Sequence, residues 1–311
     1  MRSIRSTQPA RAAPVSSTGQ PSSQPAPPPR GGHGHTAVIT VDLHTHTKHS
    51  HGQASVEEMF ATAMDRGMEV FGFSEHSPRP LAYSYPKDYR EKLTAGFPRY
   101  VDEVRALADA RQDDKTVLLG LEMDWLPGQE PFTAETIHRY PFDYIIGGIH
   151  FLGTWGFDCT VDDWKGLAPE QANDAFERYF DSLRRMGASG MFNIAAHPDI
   201  IKIFAVDAFH EWLDRPESRQ RVRDALATLR AAGMAMEISS AGLRKLCKEI
   251  YPCPAIMEMA RELGLPITFG SDAHCTSTVA WGFDQLEEYA RRFGYTHSVW
   301  FRKGVMHQRP F

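Results

Sequence analysis

The stretch VITVDLHTHTKHSHG, residues 38–52, sets Asp42, His44, His46, His49 and His51 directly behind an apolar, β-branched run. Neutral imidazole is the commonest nitrogen ligand for zinc and similar ions, so D-x-H-x-H at such a position suits a metal site. A solvated His-rich loop would be spelled the same way, and the rest of the chain separates the two readings. Further apolar runs also end in carboxylates and imidazoles: Glu75 and His76 after EVFGF, Glu122 and Asp124 in TVLLGLEMD, His150 after DYIIGGI, His197 and Asp199 after MFNIAA, and Asp272 and His274 after PITFGS. Six of seven runs end this way in a chain with only 14 histidines. Burying so many such groups together without cations would leave unpaired charge and unsatisfied donors.

The elements that must carry these residues follow from periodicity. The seven runs, AVITVDLH, EVFGFSEH, TVLLGLEMD, DYIIGGIH, MFNIAAH, MAMEISS and PITFGSDAH, read as buried strands. Between them lie amphipathic segments such as SVEEMFATAMDRG, with a Ser55–Glu58 capping box and Gly67 as its stop, and PEQANDAFERYFDSLRRMG, RPESRQRVRDALATLRAAG and PCPAIMEMARELG, each closed by glycine. A last helix, DQLEEYARRFG, and a short run, HSVWF, follow. Repeated βα units imply an α/β fold with a parallel sheet, and in a closed, TIM-barrel-like form of it the strand C-termini converge on one face. Ligands distant in the chain then meet in one bowl.

Composition bounds the rest. The 311 residues, 42% hydrophobic and 23% charged, have no run of about 18 apolar residues, so no membrane partner is expected. Four cysteines without a C-x-x-C pair fit a reducing, cytoplasmic setting. Residues 1–36 are rich in Pro, Ser and Gly, lack Asp and Glu, and are expected to be a disordered tail ahead of a domain spanning 37–311. Their seven prolines are incompatible with the amphipathic helix of a transit peptide. Taking the tail's four arginines from the formal net charge of −5 leaves −9 on the body, which argues against nucleic-acid binding.

The ordered set DLHTH, SEH, GLEMDW, GGIHF, AAHPD and GSDAH resembles the polymerase and histidinol phosphatase (PHP) superfamily across residues 37–302. EISSAGLRKLCKEIYPCPAIMEMARELGLPITFGSDAH and DYIIGGIHFLGTWGFD resemble its histidinol-phosphate phosphatases. The resemblance implies a distorted seven-stranded (β/α)7 barrel, a centre of three divalent transition metals (Zn, Mn or Fe), and hydrolysis of L-histidinol phosphate in histidine biosynthesis. It implies a first metal on His44, His46, Glu122 and Asp272, a second on Glu122, His150 and His197, and a third on His51, His76 and His274. His51 is preferred to His49 from the shared loop, whose spacing departs from the commonest family pattern, and Glu75 stands where aspartate is more usual.

Catalysis is expected of Glu122, Asp272 and His197, with a metal-bridging hydroxide attacking phosphorus, because no Ser or Cys nucleophile has an evident paired base. Arg244 and Lys202 are the cations expected on the substrate phosphate. Cys275 is expected to be a structural thiol, and His33, His35, His138, His210, His297 and His307 to lie outside the site. The competing readings are a phosphoesterase of another small metabolite or nucleotide on the same barrel, and a catalytically silent metal-binding module. The sequence does not fix the oligomeric state. Deleting residues 1–36 should leave unfolding midpoint and turnover unchanged, since the tail has too little apolar content to dock. A large loss of activity in the truncated protein would contradict that expectation.

Overall fold

A parallel ladder cannot be closed by a tight turn, so each strand needs a crossover, and the amphipathic segments provide it. The computed structural model describes residues 39–83, 87–111 and 113–311; the expectation of disorder for residues 1–36 lies outside them. Strands β1 (Val41–Asp42), β2 (Val70–Phe73), β3 (Thr116–Asp124) and β4 (Tyr144–Gly148) are followed by a hairpin of β5 (Phe151–Leu152) and β6 (Trp155–Gly156), and then by β7 (Ile194–Ala195), β8 (Ala235–Ser239) and β9 (Ile267–Gly270). The seven non-hairpin strands form one parallel sheet in the order β1-β2-β3-β4-β7-β8-β9. Its two edges meet: Leu43 N–H donates to Phe269 O at 3.1 Å, and His46 N–H to Ala273 O at 2.8 Å. The expected distorted (β/α)7 barrel is therefore the fold.

Crossovers and flanks are made by α1 (Val56–Asp65), α2 (Lys87–Asp109), α3 (Glu130–His138), α4 (Pro169–Ala188), α5 (Val206–Leu213), α6 (Pro216–Ala231), α7 (Ala241–Arg244), α8 (Pro254–Glu262) and α9 (Phe283–Arg292). The Ser55–Glu58 capping box of α1 is present, and prolines open α4, α6 and α8, where no intrahelical N–H is needed. Gly187 does not stop α4. A Cβ there would press on Leu229 of α6, so this glycine permits close helix packing, and the positive φ of 69° falls at Gly190. A second hairpin, β10 (His297–Arg302) and β11 (Val305–Pro310), ends the chain. Among the described residues no helix is long and apolar enough to cross a membrane.

Among the described residues two apolar cores result. The larger packs the helices onto the outside of the sheet. The smaller joins Val41, Leu43, Val70, Leu118, Tyr144, Ile146, Ile194 and Ala235 with Val299 and Phe301 of the last hairpin, so it gathers mainly at the strand starts, away from the ends that carry the polar groups. Tyr144 fills this interior: its hydroxyl donates to Leu43 O at 2.6 Å and approaches Phe73 O at 3.2 Å. A Cβ at Gly120 would overlap its ring. Gly120→Ala should destabilise the fold by about 1–3 kcal/mol through overpacking, and Tyr144→Phe by about 1 kcal/mol through the lost hydrogen bond. Urea unfolding midpoints check both; an unchanged Gly120→Ala midpoint would show that the ring can move aside.

Candidate metal centre

Glu122 sits near the end of β3, 1% exposed, and imidazoles from the ends of β1, β2, β4 and β7 surround its carboxylate. Its Oε2 lies 3.4 Å from His44 Nε2, 3.5 Å from His46 Nε2 and 2.7 Å from His76 Nδ1. Its Oε1 lies 3.2 Å from His197 Nε2 and 3.4 Å from His150 Nε2. Asp272 Oδ1 adds contacts of 3.3 Å to His46 Nε2, 3.5 Å to His274 Nδ1 and 3.9 Å to His44 Nε2. The backbone is bent to aim these groups: His197 and Asp272 have φ of 22° and 49°, a region that non-glycine residues enter at a cost of about 1–3 kcal/mol.

His197 Nε2 hydrogen-bonds Glu122 Oε1, but most of the cluster's close approaches have not produced hydrogen bonds. His44 Nε2, both ring nitrogens of His46, His76 Nδ1, His197 Nδ1, His274 Nε2 and Glu122 Oε2 are buried without a hydrogen-bond partner. Each such orphan costs about 1–3 kcal/mol, so the arrangement calls for something that accepts lone pairs. Among the described residues, three donor groups have candidate ligand atoms within 4.8 Å of one another: His44, His46 and Glu122; Glu122, His150 and His197; and His46, His76 and His274. Two share Glu122 and two share His46, which is the chemistry of a multi-metal centre.

His51 joins the cluster through its ring, with centroids 4.1 Å from His274 and 4.9 Å from His76, while its Nδ1 meets Tyr89 Oη at 2.8 Å. His49 turns the other way and pairs with Glu103 of α2 at 2.8 Å. Cys275 stays out of the donor groups, with its thiol against Ser277 and Thr278. His138, His210, His297 and His307 lie on α3, α5 and the last hairpin, whereas His33 and His35 fall outside the described residues.

A ring of carboxylates stands behind the imidazoles. Glu237 Oε1 accepts from His44 Nδ1 at 2.7 Å, while its Oε2 accepts the His197 backbone N–H at 2.7 Å. Asp124, paired with buried Arg79, lies 2.6 Å from His150 Nδ1. Glu75 faces His46 and is itself bound by the amide and hydroxyl of Thr47. Such partners fix the tautomer and direction of the ligating nitrogen. Strand-end patterning misses Glu237, because it lies inside the run MAMEISS and not at its end. The signal was present as one carboxylate inside the apolar strand MAMEIS.

Charge follows from this packing. Burial alone would raise the Glu122 carboxyl, but His76, His44 and His150 hold it well below the usual carboxylate range. Burial opposes charge on His46, yet Asp272 and Glu75 push it up to about 9. Burial likewise opposes charge on His150, and Glu122 and Asp124 push it up to about 9. Burial, with His274 and His46 alongside, pushes His51 down to about 2; burial and His46 push His274 down to about 3.

The two cations expected on phosphate have other partners. Lys202 is fully buried, its Nζ 2.7 Å from Asp199, 3.0 Å from Glu249 and 3.2 Å from the Ile250 carbonyl. The short turn after β7 sends it beneath the site, and Ile200 and Ile203 face the cavity instead. Arg244 donates to the carbonyls of Ser271 at 2.7 Å and Asp272 at 3.2 Å, and its guanidinium lies over Trp281. The cavity above the cluster, about 600 Å³, is lined by Lys245, Asp158, Cys159, Ile200 and Ile203 besides the donor residues, and strand-end patterning singles out none of these five.

A model of the PHP domain matches residues 42–241. The chain belongs to the PHP domain family. This PHP chain is similar to a probable histidinol-phosphatase of Deinococcus radiodurans, 32% identical over 84% of this chain and 97% of that protein. It is 25% identical to the histidinol-phosphatase of Bacillus subtilis over 79% and 98% of the two chains. Its barrel superposes with a TM-score of 0.69 on the crystal structure of histidinol phosphate phosphatase from Lactococcus lactis complexed with zinc, L-histidinol and phosphate, covering 86% of this chain and 98% of that one. At 19% identity that likeness speaks for the fold.

In the metal-free protein at neutral pH, His46 and His150, raised to about 9, hold protons that a cation must displace. Metal uptake should therefore release protons, and affinity should strengthen as pH rises from about 6 to about 9. Chelator competition across that range tests this, and a flat profile would contradict the protonation states described.

Proposed function

We propose that this chain is a metal-dependent phosphomonoesterase that hydrolyses L-histidinol phosphate to L-histidinol and phosphate, a step of histidine biosynthesis. One observation carries the reading: the donor groups around Glu122 converge in a chain similar over nearly its full folded length to proteins named histidinol-phosphatase. The body's net charge of −9, once the tail's four arginines are taken from −5, favours a small phosphorylated metabolite over nucleic acid. Four cysteines, with no C-x-x-C pair among them, favour a reducing cytoplasm.

We assign three divalent ions, Zn, Mn or Fe, to His44, His46, Glu122 and Asp272; to Glu122, His150 and His197; and to His51, His76 and His274. The mixed imidazole and carboxylate set suits any of these metals. When bound, such ions supply Lewis acidity toward phosphoryl oxygens and bring the pKa of water toward neutrality. Glu122 spans the first two sites, because its two oxygens face different imidazoles. Asp272 is the acceptor we assign for the proton of the attacking water. Burial would raise its carboxyl, but His274, His46 and His44 keep it well below the usual range and hence anionic. His197 holds the Oε1 side of Glu122.

Arg244 acts through Asp272, whose carbonyl it binds, and Lys202 steadies Asp199 beneath the site. Lys245, an exposed cation on the cavity wall, is the one we assign to phosphate. Glu122→Gln keeps shape and removes charge, so metal retention should weaken and kcat should fall by about three orders of magnitude or more. Phosphate release from L-histidinol phosphate, measured with metal content, checks this. Normal metal with near-normal kcat would remove Glu122 from its bridging role, and faster hydrolysis of a dinucleotide would favour the nucleotide phosphoesterase reading.

A further inference from the structure

With the phosphoryl group drawn to the cluster, the organic part of the substrate has to occupy the remaining wall: Asp158, Cys159, Ile200, Ile203 and Lys245. Of the three carboxylates lining this cavity, Glu122 and Asp272 are packed among imidazoles. Asp158 arrives separately, on the loop that leaves the β5–β6 hairpin. That loop is anchored on both sides of it. Phe157 is fully buried and edge-on to Tyr179 at 5.8 Å; its carbonyl accepts from Trp164 Nε1 at 2.7 Å, and Cys159 N–H donates to Gly156 O at 3.3 Å. A half-buried carboxylate on a rigid loop is preorganised for a ligand and needs little further ordering.

The substrate proposed above has a short arm: its ammonium is borne on the carbon next to the phosphorylated methylene. With phosphate at the cluster, that ammonium must fall at the cluster's rim. Asp158 lines the same cavity as His150 and His197, which places it on this rim. Buried Ile200 and Ile203 offer an apolar face to the ring beyond. Charge-assisted hydrogen bonding to a carboxylate favours an ammonium and rejects a carboxylate or a bare methylene at the same point.

We propose that Asp158 is the specificity-determining residue of this site, accepting the substrate's ammonium while the phosphoryl end meets the cluster and the ring lies against Ile200 and Ile203. The inference rests on the substrate reading above. The test compares wild type, Asp158→Asn and Asp158→Glu, each with metal content measured, on L-histidinol phosphate, its analogue lacking the amino group, and p-nitrophenyl phosphate. Asp158→Asn should lose about 10–100-fold in kcat/KM on L-histidinol phosphate, chiefly in KM, with partial recovery in Asp158→Glu. Its turnover of the two amine-free substrates should match wild type, and wild type should disfavour the amine-free analogue by a similar factor. Equal losses on all three substrates, or no loss on any, would overturn the role of Asp158 alone. A wild-type enzyme that cleaves p-nitrophenyl phosphate and leaves L-histidinol phosphate intact would overturn the substrate reading and this inference with it.

Discussion

A carboxylate taken fully out of water is tolerated only where positive charge surrounds it, and Glu122 is such a group. Five imidazoles approach its two oxygens within 3.5 Å. Their nitrogens nevertheless leave orphaned atoms, so imidazoles alone do not satisfy the centre. The folded chain thus contains a built-in demand for cations. Metal affinity and fold stability are then linked, because the ligand groups meet only after the barrel has closed.

The rest of the molecule serves that demand. Glu237, Asp124 and Glu75 lie on or just after three different strands and hold His44, His150 and His46 from behind. Room for them is made by small residues. A Cβ on Gly270 would overlap Glu237 Oε1, and one on Gly148 would press on the His150 ring. Asp42 ties the closing edges together by accepting backbone N–H groups from Ser271 at 3.0 Å and Ala280 at 3.2 Å. At the opposite end, Tyr144 and the last hairpin fill the barrel with apolar packing, so the strand ends are held by a core that contains none of the ligands.

Much of this was legible in the sequence. Seven strands and their order along the chain follow from apolar runs separated by capped, glycine-stopped helices, since periodicity and capping are local properties. The donor residues were legible for a related reason: a polar group ending a buried strand stands out against its neighbours, as His150 does after DYIIGGI. The family resemblance puts His51 with His76 and His274, whereas in the structure it is His46 whose donor atom groups with those two.

Tertiary structure alone decided which way side chains face and what lies behind them. His49 and His51 are spelled alike, yet one meets Glu103 on α2 and the other stacks on His274, because a tight turn between them reverses direction. Lys202 is a plausible phosphate cation in HPDIIK, but a single short turn carries it under the site to Asp199 and Glu249. Asp158 and Lys245 reach the cavity from loops separated by more than 80 residues, a meeting that no local pattern encodes. The sequence by itself determined the types of the candidate donors and the strands that bear them, because both depend on local burial patterns. Only barrel closure decided their partners and the cavity they share, because those depend on packing between distant segments.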